Sequence, residues 1–144
     1  MYEIVMAVDG EEERLNRQID AIQDLPGIDE LSVIVLYVHE EVDTPADEAG
    51  KQIIDAINED LADLQGLPGT VAQARDRLEE LGIDANVSEL TGDPPTVILD
   101  VAAEVDANAI CVAGRDRNPI GKAVFGSVTQ KVLLQSDRPV IVAR

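Results

Sequence analysis

Apolar residues fall along this chain in two alternating rhythms. Ile4, Val5, Met6, Ala7 and Val8 make residues 2–8 a compact apolar run closed by Asp9 and Gly10, which predicts a strand and then a turn. Residues 11–25 change to helical spacing, with Leu15, Ile19 and Ile22 on one side. Glu11, Glu12 and Glu13 stand at the end where the helix dipole favours negative charge, and Pro26 and Gly27 stop the helix. Residues 31–38 are almost continuously apolar, as expected of a strand covered on both faces. Residues 40–50 are polar. Ile53, Ile54, Ile57, Leu61 and Leu64 predict a helix over 51–64, broken by Gly66, Pro68 and Gly69. A further helix is predicted over 70–81 with Gly82 as its left-handed cap, and a third strand over 84–90. A turn at 92–95 leads into a helix over 96–105, with Pro94 or Pro95 in an early helical position. Strands over 109–113 and 140–143 flank a last helix over 127–135.

Strands that alternate with helices imply a parallel sheet joined by right-handed crossovers. The expected fold is α/β: a single-domain, five-stranded parallel sheet of order 3-2-1-4-5 with helices on both faces, its second crossover enlarged. A length of 144 residues suits one domain with one well-covered core. Ligands of such sheets bind beyond the carboxyl ends of the strands, where the strand order reverses. In this order the reversal lies between the first and fourth strands. The loops after them begin at Asp9 and Gly114, so both face one crevice.

Charge sharpens that picture. The formal net charge is −18, yet residues 114–144 carry six of the eleven Lys/Arg and only two carboxylates, Asp116 and Asp137. The segment reads as an anion site in a negative protein. A chain this acidic, with a 2% aromatic content, is unsuited to nucleic-acid or membrane binding through bulk charge or base stacking. Three Lys against eight Arg, with 29 Asp and Glu, suits the high-salt cytoplasm of a halophilic archaeon, where screening relieves self-repulsion. The one cysteine, Cys111, lies in an apolar strand and is expected to be a buried, inert thiol of a reducing compartment. With no leader-like opening and no apolar run of membrane-spanning length, a soluble cytoplasmic protein is expected.

Gly114, Gly121 and Gly126 punctuate the loop after the fourth strand, where backbone N–H groups can gather around phosphate. It is not a Walker A loop, because Lys122 is followed by Ala123 and Asp116 stands where the first glycine belongs. A dinucleotide fingerprint is excluded by the three glutamates after Gly10, which would repel pyrophosphate. A receiver domain needs an acceptor aspartate after the third strand, and here that strand ends at Leu90, Thr91 and Gly92. His39 is the only histidine, which leaves no catalytic triad and no His/Cys metal cluster.

The combination resembles the universal stress protein family, and the resemblance covers essentially the whole chain. It rests on Ile4 to Val8 with Asp9 and Gly10, on Gly92, Asp93 and Pro94, on Ala109 to Gly114, and on Phe125, Gly126, Ser127 and Val128. The closing run from Asp137 to Val142 completes it. It implies an adenine nucleotide alpha hydrolase-like, Rossmann-like fold. Nucleotide-binding members carry Gly, two residues, Gly, nine residues, Gly, then Ser or Thr. Here Gly114 and the Gly126–Ser127 pair fit the ends, the interval is one residue short, Arg117 takes the inner glycine position, and Gly121 is added beside Lys122.

By position, the resemblance implies that Asp9 accepts hydrogen bonds from ribose or base, and that Ala7, Val8 and Val38 line an adenine slot. Gly114 would allow close backbone approach. Gly126, Ser127 and Val128 would present a helix N-terminus to phosphate, with Arg115, Arg117, Gly121 and Lys122 in the loop around it. Each has a plainer reading: Asp9 and Ser127 as helix caps, the glycines as turns. The implied function is a regulatory protein that binds ATP or AMP, with Mg2+ only alongside the nucleotide and at most slow ATP hydrolysis. A dimeric interaction protein of the same fold without nucleotide is the alternative, and a slow magnesium-dependent hydrolase a third. A short apolar edge at Val140–Ala143 is expected to pair two copies into a homodimer.

Overall fold

The computed structural model describes residues 2–40, 67–114 and 126–143. In chain order the elements are β1 (Tyr2–Ala7), α1 (Glu12–Gln23), a 3-10 turn at Ile28–Glu30, β2 (Leu31–Glu40), α2 (Gly69–Glu80), β3 (Asp84–Gly92), α3 (Pro94–Glu104), β4 (Ala109–Ala113), α4 (Ser127–Gln135) and β5 (Val140–Ala143). The five strands form one sheet, parallel as the alternation of elements predicts, in the expected order β3-β2-β1-β4-β5. The helix expected over 51–64 lies outside the described residues.

The sheet separates two apolar layers. On one face α1 and α2 cover Ile4, Met6, Val33, Val35, Ala109 and Cys111; on the other α3 and α4 cover Val5, Leu36, Ile110 and Val112. Burial on both faces explains why β1 and β4 read as continuous apolar runs. Among the described residues, no helix is long and apolar enough to cross a membrane.

Several boundaries differ from those the sequence predicts. Strand β2 runs on to Glu40 because its pairing with β3 continues through His39↔Thr91 to Glu40↔Gly92. His39 is therefore inside the strand, paired through Nε2 with the Glu89 carboxylate. The expected turn at 92–95 contracts to the single cap residue Asp93, because Pro94 and Pro95 open α3 at positions where no N–H is needed. Helix α1 ends at Gln23, and Gly27, with φ +73°, starts a 3-10 turn that the apolar pattern does not announce. Gly82 does take the left-handed conformation expected after α2, with φ +82°.

At the amino end of the sheet, β1 and β4 are clamped together. The Glu3 N–H donates to Asn108 Oδ1 at 2.9 Å, and the Asn108 N–H donates back to the Glu3 carbonyl at 2.8 Å. At the carboxyl end they part, and the parting creates the candidate site.

Candidate functional site

Pairing between β1 and β4 stops at Met6↔Cys111, whereas β1 follows β2 to Ala7↔Leu36 and β4 follows β5 to Ala113↔Ala143. A cavity of about 130 Å³ opens over this split. Its floor is apolar: Ala7 and Val8 from β1 and the residue after it, Leu36 and Val38 from β2, and Val112 and Ala113 from β4. Pro94 and Ile98 of α3 form one wall, Val128 and Thr129 of α4 another, and Asp9 stands at the rim.

The two helices that start at this cavity differ in what they offer. Helix α3 opens with two prolines, which lack N–H groups, behind Asp93, whose Oδ2 accepts from the Thr96 hydroxyl at 2.7 Å. Helix α4 starts behind Gly126 with no side-chain cap, and its first intrahelical bond into that residue runs from Gln130 N–H to the Gly126 carbonyl. The N–H groups of the first turn thus have no acceptor within the helix, and the helix dipole adds positive potential there. Thr129 fixes this end in place by donating its hydroxyl to the Ala113 carbonyl at 2.8 Å. Neither helix has a side-chain cap, but α4 presents N–H groups from its first residue, whereas the first two residues of α3 have none to present.

Asp9 is held in one orientation by its neighbours. Its Oδ1 accepts from the Glu11 N–H at 2.9 Å and its Oδ2 from Arg14 Nε at 2.7 Å. The Asp9 carbonyl accepts from the Thr70 hydroxyl, joining the loop to the start of α2. Glu11, not Asp9, is the cap residue of α1. The carboxylate remains about half exposed and keeps lone pairs free for a further donor.

Cys111 is fully buried beneath the split, and burial pushes its thiol up to about 12, partly offset by a hydrogen bond with Gln18. A thiol so far from ionisation is no nucleophile. Among the described residues, no group of three or more His, Cys, Asp or Glu side chains is placed to hold a metal ion.

Residues 1–144 match the Universal stress protein family in full. The chain belongs to the universal stress protein family. A universal stress protein from Archaeoglobus fulgidus is 28% identical, with a TM-score of 0.72 and coverage of 100% of this chain and 99% of that one. The universal stress protein from the same organism in complex with dAMP is 25% identical, at TM-score 0.68, covering 100% and 98%. The stress response protein NhaX of Bacillus subtilis is 36% identical over 74 residues, 51% of this chain and 45% of its own length. A universal stress protein of Mycolicibacterium smegmatis is 30% identical over 77 residues, 53% of this chain and 59% of its own. The matched stretches thus span about half the length of these two relatives.

Of the residues singled out in the sequence, Ala7, Val8, Asp9, Val38 and Val128 come together on the cavity lining. Gly114 follows the lining residue Ala113 but is not on the lining; it is buried, its N–H donating to the Ala143 carbonyl at 2.8 Å. Gly126 precedes α4 as the cap residue, and Ser127 is the first helical residue, not the cap the sequence suggests; a hydroxyl inside the helix cannot fold back on the first turn as a cap does. Arg115, Arg117, Gly121 and Lys122 lie outside the described residues. The sequence reading missed Leu36, Pro94, Ile98, Val112, Ala113 and Thr129. The pleat held a signal for one of them: Leu36 lies two residues before Val38, on the same face.

Proposed function

We propose that the cavity binds an adenine nucleotide, AMP or ATP, and that the protein works as a cytoplasmic regulator of universal stress type whose state depends on that occupancy. The observation that carries this reading is the convergence of an apolar slot, the uncapped N-terminus of α4 and the Asp9 carboxylate over the split between β1 and β4. A flat base fits an apolar floor, ribose hydroxyls donate to Asp9, and phosphate suits the free N–H groups of the α4 first turn. The dAMP complex of the Archaeoglobus fulgidus protein supports the choice of an adenine nucleotide. Mg2+ enters only with the nucleotide, and Arg115, Arg117 and Lys122 supply the charge that fewer loop glycines leave unmet.

The protein acts as a homodimer that pairs along Val140–Ala143, the outer strand of the sheet next to β4. Its acidity is that of a protein from a salt-rich cytoplasm, as in halophilic archaea. One observation favours the alternative, an interaction module without nucleotide: Arg117 stands at the inner glycine position of the loop. Calorimetry with AMP and with ATP at high salt decides between them. Gly126 has φ −66° and ψ 163°, a conformation open to any residue, so Gly126→Val tests steric block and not backbone strain. Heat with the wild-type protein that is lost in Gly126→Val supports the nucleotide reading; no heat from either nucleotide rejects it.

A further inference from the structure

On the opposite face of the sheet from the cavity, one buried side chain is unlike its neighbours. Gln18 lies on the apolar stripe of α1 with Leu15, Ile19 and Ile22 and is only 1% exposed. Burying a primary amide among hydrocarbon is unfavourable unless partners await it. Its Nε2, which carries two N–H donors, donates to the Ala7 carbonyl at 2.7 Å and more weakly to the Cys111 carbonyl at 3.4 Å. These carbonyls belong to the two strands that part, at the level where they part: Met6↔Cys111 is the last β1–β4 pair. One side chain thus supplies donors to both lips of the split.

We propose that Gln18 is a positioning residue that holds β1 and β4 apart at their carboxyl ends and so sets the width of the cavity on the other face. The consequence for ligand rests on the nucleotide reading above; the role in the sheet does not. Main-chain carbonyls buried in a sheet must find donors, and neighbouring strands ordinarily supply them by continuing to pair. A donor wedged from α1 satisfies both carbonyls and removes the drive to add another pair. Ala7, Val112 and Ala113 line the cavity across the sheet, so any closing of the split draws its floor together. The clamp between Glu3 and Asn108 holds the other end of the same strand pair, which leaves the carboxyl end as the place where separation is set.

The test is Gln18→Met, which keeps the length of the side chain and removes its donors. Ile22→Val, a loss of core volume on the same stripe, is the control for stability alone. Crystal structures should show the β1–β4 register extended past Met6↔Cys111 in Gln18→Met and a cavity smaller than the wild-type volume, with neither change in Ile22→Val. AMP titrations at high salt, well below the melting temperature of each variant, should show affinity at least about tenfold weaker in Gln18→Met and within about twofold of wild type in Ile22→Val. An unchanged register in Gln18→Met overturns the proposal, whatever its melting temperature. So does an extended register with undiminished AMP affinity. If the wild-type protein itself binds no AMP, the nucleotide reading falls alone and the register still decides the role of Gln18. Should Gln18→Met not fold, Gln18→Asn, whose amide is withdrawn by one methylene, is put to the same register test.

Discussion

Gly92 ends β3 with φ +154°, a conformation that L side chains rarely adopt, and a Cβ there would lie 2.9 Å from Val97 Cγ2. Gly92→Ala therefore meets two penalties. Holding a non-glycine residue in such a region costs about 1–3 kcal/mol. Val97 is β-branched and lies in α3, where one χ1 rotamer is strongly favoured, so moving its methyl aside adds about 0.5–1.5 kcal/mol. Together these come to about 1.5–4.5 kcal/mol, a fall of roughly 4–16 °C in melting temperature for a chain of this size. The strain falls next to Asp93 and Pro94, so it also displaces the α3 wall of the cavity. Scanning calorimetry at high salt on Gly92→Ala, Val97→Ala and the double variant separates the two contributions. Val97→Ala removes the clashing methyl, so the double variant should be about 0.5–1.5 kcal/mol more stable than the sum of the single changes implies. A Gly92→Ala protein that melts within about 2 °C of wild type refutes the argument, and strict additivity refutes its steric half.

Asp9→Asn keeps an oxygen for the Glu11 N–H but loses the exposed ion pair with Arg14, so stability should change by less than about 1 kcal/mol. Loss of a charged acceptor should nonetheless weaken AMP binding about tenfold or more by calorimetry, and unchanged affinity would remove Asp9 from the site. Cys111 supplies a pH effect. Its folded pKa of about 12 lies above the ordinary thiol value of 9.0, so the folded state holds a proton that the unfolded state releases, and stability declines as pH rises from about 9 towards 12. Urea titrations should give a slope approaching 1.4 kcal/mol per pH unit more in wild type than in Cys111→Ala; equal slopes would contradict the burial argument. Light scattering at high salt should give twice the 15.5 kDa chain mass, and a monomer would reject pairing along Val140–Ala143. Circular dichroism should report loss of helix when salt is lowered, and full retention in dilute buffer would reject the high-salt reading of the charge.

The fold was legible because its signals are repeated. Five apolar runs separated by helical spacing imply a parallel sheet with right-handed crossovers; those rules allow the observed order without singling it out. Given that order, the ends of β1 and β4 fall in one crevice. Less legible was anything set by pairing across space. The length of β2 depends on its register with β3, and nothing local in His39 or Glu40 announces that the ladder continues. Ser127 and Gly126 are adjacent, and choosing the cap between them depends on where the helix is anchored by Thr129, not on side-chain preference. Gln18 did leave a trace: a polar residue falls on the helical stripe of Leu15, Ile19 and Ile22. The sequence marks the exception, but only the strand carbonyls on either side explain it.

The cavity walls come from segments around residues 7–9, 36–38, 94–98, 112–113 and 128–129, which span most of the chain. None of these segments is adjacent to the next in sequence, so neither half of the molecule contains the whole site. A ligand held there meets only the assembled sheet, and at a hundredfold excess over its Kd it would add about 2.7 kcal/mol to the whole fold at once. In the cell, resistance to proteolysis would then rise and fall with ligand concentration, making the lifetime of the protein itself a readout of the pool it samples.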